Sequence, residues 1–115
     1  MARVIKFRGL RANGNGWVYG YIQPHTNPEL LDILQLNDDH DWTRYRVKPE
    51  TVGQFTGLKD KNGVEIYEGD ILEGVNYQDY KIFWDTSFLG WNIGPNVGRK
   101  VRVIGNIHES EVPNE

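Results

Sequence analysis

Between Thr56 and Leu72 the chain can neither build a helix nor run on as one strand, because turn signals interrupt it twice. Lys61-Asn62-Gly63 carries an Asn-Gly pair, and these two residue types readily take the positive φ angles of a tight hairpin turn. Glu68-Gly69-Asp70 repeats the signal six residues later, directly before the β-prone pair Ile71-Leu72. The apolar residues between the turns come in runs too short for helices, so the segment reads as a compact meander or small-barrel element. Asp60, Asn62, Gly63, Gly69 and Asp70 are its structural turn residues. Nothing in it reads as a catalytic apparatus.

The 115 residues bound the chain to one domain, 1–115, with sub-parts 1–47 and 48–110. Four Trp, six Tyr and four Phe favour strands and supply large buried areas, and thirteen Gly fit a chain that turns often. A net charge of -3 creates no field that attracts polyanions, although a local basic patch can still exist. With no cysteine, disulfides, thiolate metal sites and cysteine nucleophiles are excluded. The first eight residues alternate charged and apolar side chains and lack the apolar run of a signal peptide. No segment approaches the roughly 20 apolar residues of a membrane span. A soluble, cytoplasmic protein without a membrane partner is expected.

Val4 to Leu10 reads as a first strand, with Ile5 and Phe7 on one face and Lys6 and Arg8 on the other. Asn13-Gly14-Asn15-Gly16 is a turn, and Trp17 to Ile22 a second strand with Trp17, Tyr19 and Tyr21 on one face. Gly20 within it marks a bulge or a close backbone approach. Asn27-Pro28-Glu29 resembles a helix start, and Leu30, Leu31, Ile33 and Leu34 would then share a helical face. The same residues can form a buried strand, and the β-like neighbours favour one from Leu31 to Leu36. Asn37 to Asp41 is a polar loop and Trp42 to Val47 an alternating strand; Pro49 to Gly53 is a turn or one helical turn. Further on, Tyr77 to Trp84 places Tyr80, Ile82 and Trp84 on one face, and Ser87 to Ile93 can pair with it across Asp85-Thr86. Gly94 to Gly98 reads as a loop, Lys100 to Ile107 as a closing strand, and Ser110 to Glu115 as a frayed tail.

Several of these stretches together resemble the YopX family of phage and prophage proteins. They are Phe7-Arg8-Gly9, Gly16 to Gly20, Val47 to Gly57, Leu58 to Ile71 and the closing Val103-Ile104-Gly105-Asn106-Ile107-His108-Glu109. Residues 24–46 and 73–100 are the least family-like. The resemblance implies a mainly β protein carried by phages or integrated prophages, and it brings no catalytic residues with it.

Two clusters of polar residues suggest ion chemistry, and each has a plainer explanation. Asp60, Glu65, Glu68 and Asp70 are four carboxylates within eleven residues, the raw material of a metal site or an acid/base pair, and Asp60-Lys61-Asn62-Gly63 superficially resembles a calcium loop, but the twelve-residue ligand spacing is absent. Turn chemistry explains them better: Asp60 can bond turn amides, and Asp70 can cap backbone donors at a tight bend. Asp38, Asp39, His40 and Asp41 offer hard ligands, yet adjacent residues on one loop rarely converge, and a solvated acidic loop is commoner. Ser87 and Ser110 sit in no nucleophile turn, and no glycine-rich phosphate loop is present. No cofactor is implied.

The best binding candidate is the first hairpin, where Arg8 and Arg11, with Arg3 and Lys6, can line up beside Trp17, Tyr19 and Tyr21. Phosphate pairing plus base stacking is what a single-stranded nucleic acid requires. Strand alternation favours the simpler arrangement, in which the aromatics face the core and the basic residues solubilise the outer face. The expected fold is therefore all-β, hairpins around a small SH3-like barrel in the second half, with room for one short helix. Two functions are expected from it. The first is a non-enzymatic accessory protein that binds a host or phage protein. The second is a nucleic-acid-binding β-barrel that uses the basic and aromatic hairpin. Exposed strand edges also make a homo-oligomer a reasonable expectation.

Overall fold

In the computed structural model, which describes residues 5–74 and 79–108, the chain is all-β and its sheets are antiparallel. It divides into two compact units, Met1–Gln54 and Phe55–Glu115.

The first unit is a meander of four strands, β1 (Phe7–Leu10), β2 (Trp17–Pro24), β3 (Leu31–Leu36) and β4 (Trp42–Val47). Each pairs with its sequence neighbour, in the order β4-β3-β2-β1. The ambiguous run after Pro28 is a strand, because Ile33 closes the core that Val18 and Val47 begin. Phe7, Leu31, Tyr45 and Val52 pack against that cluster. Asn27-Pro28-Glu29 forms a turn instead of a helix start: the Asn27 carbonyl accepts from Leu30 N at 3.0 Å and its Oδ1 from Glu29 N at 2.9 Å.

Past β4 a single 3₁₀ turn covers Pro49–Thr51. Buried Thr51 ties it to β1, its Oγ1 accepting from Leu10 N at 2.9 Å and donating to the Lys48 carbonyl at 2.6 Å. An isolated bridge, Arg11 to Val47, draws the end of β4 back to the end of β1. Ala12 N donates to the Arg46 carbonyl there at 2.8 Å, and Lys48 N to the Leu10 carbonyl at 2.9 Å.

Strand β5 (Gly53–Lys59) starts beside β1, Gly53 opposite Arg8 and Gln54 opposite Phe7, and continues into the second unit. There it forms the hairpin with β6 (Glu65–Tyr67) across the Asn62-Gly63 turn, where Gly63 has a φ of 81°. β7 (Asp70–Leu72) lies between β8 (Tyr80–Lys81) and β11 (Val103–Asn106). β9 (Trp84–Asp85) and β10 (Gly90–Trp91) make a separate hairpin. The core is Ile66, Leu72, Ile82, Ile93 and Val101, with Leu58, Tyr80, Trp91 and Val103 packed on it.

Three details differ from the expectations of the sequence. The short α-helix, α1 (Pro95–Gly98), occupies a stretch read as a loop. Trp84 does not share the buried side of Ile82: it is exposed and meets the Trp91 ring edge-on at 5.2 Å. The pairing partner of β9 starts at Gly90, since Thr86 to Leu89 are spent on the turn. The strand order β11-β7-β8 stays open, with no closed barrel among the described residues. Val4, Tyr77 and the tail from Ser110 lie outside the described residues.

Candidate functional site

The parity of β2 is set by where glycine is required. A Cβ on Gly20 would lie 1.9 Å from the Leu34 carbonyl oxygen, and one on Gly9 would lie 3.1 Å from both Ile33 and Val47. The core side of this hairpin therefore carries Gly9, Val18 and Gly20, with Phe7 opposite Gly20, and has no room for a side chain at either glycine. Trp17, Tyr19 and Tyr21 alternate with those residues and must face the other way. The simpler arrangement expected from alternation is thus reversed: Tyr19 and Tyr21 are exposed, and Arg8, expected on the solvated face, is 7% exposed.

Arg8 sits opposite Tyr19 in the ladder, its guanidinium carbon 4.8 Å from the centre of the Trp17 ring. Arg11 stacks in the same way on Tyr45, at 4.7 Å. Both cations are held against aromatic faces, an arrangement worth about 1 kcal/mol where water is partly excluded. The five hairpin residues therefore split. Arg8 packs on Trp17, and Arg11 packs separately on Tyr45, beside Val47 on the core side of the sheet, while Tyr19 and Tyr21 project outward. Arg3 lies outside the described residues.

Tyr19 and Tyr21 instead join residues to which the sequence assigns no role. Register places Leu36 opposite Trp42 and Leu34 opposite Tyr21, which brings Trp42 beside Tyr21 with ring centres 5.6 Å apart. Lys6, Tyr19, Tyr21, Gln35, Leu36 and Trp42 line an open groove of about 340 Å³. Gln35 fixes one wall, its Oε1 accepting from Tyr19 N at 2.9 Å. Four large side chains here are roughly half exposed: Tyr19 41%, Leu36 49%, Trp42 52% and Tyr21 53%. Trp42 is legible as a strand residue, but its partner depends on the β3 register, which the ambiguous 24–46 segment conceals.

On the same face of β3 and β4, Asp32 is 1% exposed and carries two guanidiniums. Arg46 Nε donates to its Oδ1 at 2.5 Å, and Arg44 Nε lies 3.6 Å from its Oδ2. One carboxylate shared by two arginines leaves a single positive charge on this part of the sheet. The adjoining loop contributes the opposite sign through Asp38, Asp39 and Asp41. Its turn is held by Asn37 Oδ1, which accepts from Asp39 N at 3.0 Å and Asp41 N at 2.9 Å. His40 supplies the turn's positive φ, 65°. Among the described residues no three acids and imidazoles cluster as a metal site.

The turn residues of the second unit are structural in their bonding. The Asp60 carboxylate accepts from Asn62 N at 2.8 Å, Val64 N at 2.9 Å and Val103 N at 2.9 Å, joining the Asn62-Gly63 turn to β11. Burial pushes its pKa up, but the amides of Val103, Val64 and Asn62, helped by Lys61, outweigh that and hold it below the ordinary value of 3.8. Asp70, 1% exposed, accepts from Tyr67 N at 2.7 Å across Gly69, whose φ is 92°. The Tyr80 hydroxyl is buried without a hydrogen-bond partner among the described residues, and burial raises its pKa above 10.0.

A second apolar surface is the β9–β10 hairpin, where Phe88 and Leu89 project at 60% and 73% exposure. It is the tip of a hairpin whose strands have two residues each. A cavity of about 370 Å³ elsewhere in this unit is lined by Glu68, Gly69, Lys81, Ile82, Phe83 and Ile107.

Comparison with known proteins places this geometry. The family model described as YopX protein matches residues 6–112, almost the whole chain. The crystal structure of protein EF1440 from Enterococcus faecalis superposes with a TM-score of 0.57 over 96% of this chain and 98% of that one. At 22% identity that likeness is one of fold. No curated protein matches. No helix among the described residues is long and apolar enough to cross a membrane.

Proposed function

We propose that this chain, which belongs to the YopX protein family, is a non-enzymatic accessory protein of phages or prophages that works as a protein-interaction module in the host cytoplasm. The observation that carries the reading is the groove of the first unit, where Tyr19, Tyr21, Leu36 and Trp42 hold large apolar surfaces half in water around one concavity. Half-exposed aromatics at a concave site are the composition of a protein-binding hot spot. The phage setting rests on the family resemblance. A partner of either host or phage origin fits the groove equally well.

The charge balance favours protein over nucleic acid. Arg8 and Arg11 are stacked on Trp17 and Tyr45, and the groove adjoins the acidic loop Asp38 to Asp41. Phosphate binding needs accessible cations in excess, and its affinity must fall steeply with salt. For the second unit we infer a variant of the small SH3-like barrel, supported by its short strands and by the register irregularity of β5 between Phe55 and Lys59, where Gly57 has a φ of 90°.

The test is an affinity capture from bacterial lysate with the tagged full chain, run with and without nuclease, beside a Tyr21→Ser/Trp42→Ser double variant. A protein retained after nuclease by the parent chain and lost by the double variant supports the reading. Capture that disappears on nuclease treatment moves the nucleic-acid reading ahead of it.

A further inference from the structure

From the open edge of β4 we infer how a partner is held, resting on the reading of the groove as a protein-binding site: an extended, acidic segment of the partner adds to this sheet as a further strand across Trp42 and Arg44. Two independent bonds fix which backbone groups of β4 face outward. At one end Asn37 N donates to the Asp41 carbonyl, making residues 37 and 41 a hydrogen-bonded pair. At the other, the Arg46 carbonyl accepts from Ala12 N, on the side away from β3. Alternation along an antiparallel strand then turns the N–H and C=O of Trp42, Arg44 and Arg46 outward, and those of Thr43 and Tyr45 towards β3. Arg46 is taken by the bridge to the end of β1, whereas β4 has no further strand neighbour at Trp42 and Arg44 among the described residues. Two donors and two acceptors are therefore offered in a row, which is the template that strand addition uses.

The side chains on that edge select the occupant. Trp42 forms one wall of the groove, so the residue paired with it is apolar and reaches towards Tyr21 and Leu36. Two residues along, Arg44 is exposed and only loosely tied to Asp32, which Arg46 already holds. A carboxylate on the partner's next residue but one would meet that unbalanced charge. The incoming strand therefore reads apolar, any, acidic, with its apolar end at Trp42, where the Asp38, Asp39 and Asp41 loop repels further acid. A second copy of this chain fits poorly. Antiparallel pairing of two β4 edges about Arg44 would set guanidinium against guanidinium and Trp42 against Arg46.

The experiment selects random twelve-residue displayed peptides on the full chain and remakes the enriched sequences as synthetic peptides. Expected are proline-free binders carrying an apolar and an acidic residue two positions apart. Their affinity should fall at least tenfold with Arg44→Glu, recover when the peptide acid is exchanged for lysine, and fall as much when alternate peptide amides are N-methylated. Circular dichroism of R44E, whose side chain is solvent-facing, checks that the fold is retained. Peptides that lose binding with Tyr21→Ser but ignore both R44E and N-methylation would overturn strand addition while leaving the groove as the binding site. A library yielding no binder, or binders indifferent to Tyr21→Ser as well, would overturn both.

Discussion

The two units reach order by different routes. In the first, strands of four to eight residues pair in sequence, and the core is small: Val18, Ile33 and Val47. Much of its aromatic surface stays on the outer face, over Arg8 and around the groove. In the second, most strands have only two or three residues, too few to stand alone, and buried carboxylates take over the work of the ladders. Asp60 and Asp70 hold turn amides beside a core of five buried aliphatic residues. The second unit also buries Phe55 and Tyr67, whereas no aromatic of the first is fully buried among the described residues. Where long ladders stabilise a unit, a face is left over for binding.

If the second unit depends on its core, Leu72→Ala should have the largest effect of any single truncation. Leu72 is fully buried, and its loss is expected to cost about 4 kcal/mol in chemical denaturation. A cost below about 2 kcal/mol would mean that this core is less closely packed than the structure has it. In the first unit the matching position is Gly20, where alanine would drive a methyl group against the Leu34 carbonyl. The expected cost is about 3 kcal/mol, because backbone must move. Gly63→Ala meets no atom and has only its φ of 81° to strain, so about 1–2 kcal/mol is expected. Reversal of that ranking would contradict the parity argument for β2.

The carboxylate mechanism has its own signature. Asp60 has a folded pKa below its ordinary value, so its contribution to stability is complete above the unfolded pKa near 3.8 and is lost as pH falls through the lower folded value. The stability gap between the parent chain and Asp60→Asn should be constant from pH 7 down to about 4 and narrow below that. A gap that widens on acidification would overturn the assignment. Two smaller effects complete the comparison. Tyr80→Phe removes a buried hydroxyl without a partner among the described residues and should stabilise by about 1 kcal/mol, read as a raised denaturation midpoint. Tyr21→Ala, on the exposed face, should change stability by less than about 0.5 kcal/mol while reducing capture of the partner.

Much of the fold is legible in the sequence. Asn-Gly and Gly-Asp place the turns, because few residue types accept the φ of 81° at Gly63 and 92° at Gly69. Trp42 to Val47 alternates strongly enough that its strand bounds are met to the residue. The outer face is not legible, since alternation reports that two faces differ without saying which one is buried. Large aromatics suggest the core, but the space at Gly9 and Gly20 decides otherwise, and that space belongs to β3 and β4. Asp32, in sequence one more residue of an apolar run, is the buried centre of an ion pair that only the β3–β4 register creates. The helix at Pro95 gives no sequence signal beyond its proline, being a single turn.

The most direct test sets the groove against the exposed apolar tip of the β9–β10 hairpin. A photo-reactive benzoyl-phenylalanine is placed at Tyr21 in one variant and at Phe88 in another, and each is irradiated in living bacteria. Both positions are exposed aromatics, so substitution should leave the fold intact in either case. The account predicts a discrete protein adduct from position 21 that is lost when Arg44→Glu is added, and none from position 88. An adduct from position 88 alone, or one from position 21 that dissolves on nuclease treatment, would contradict it.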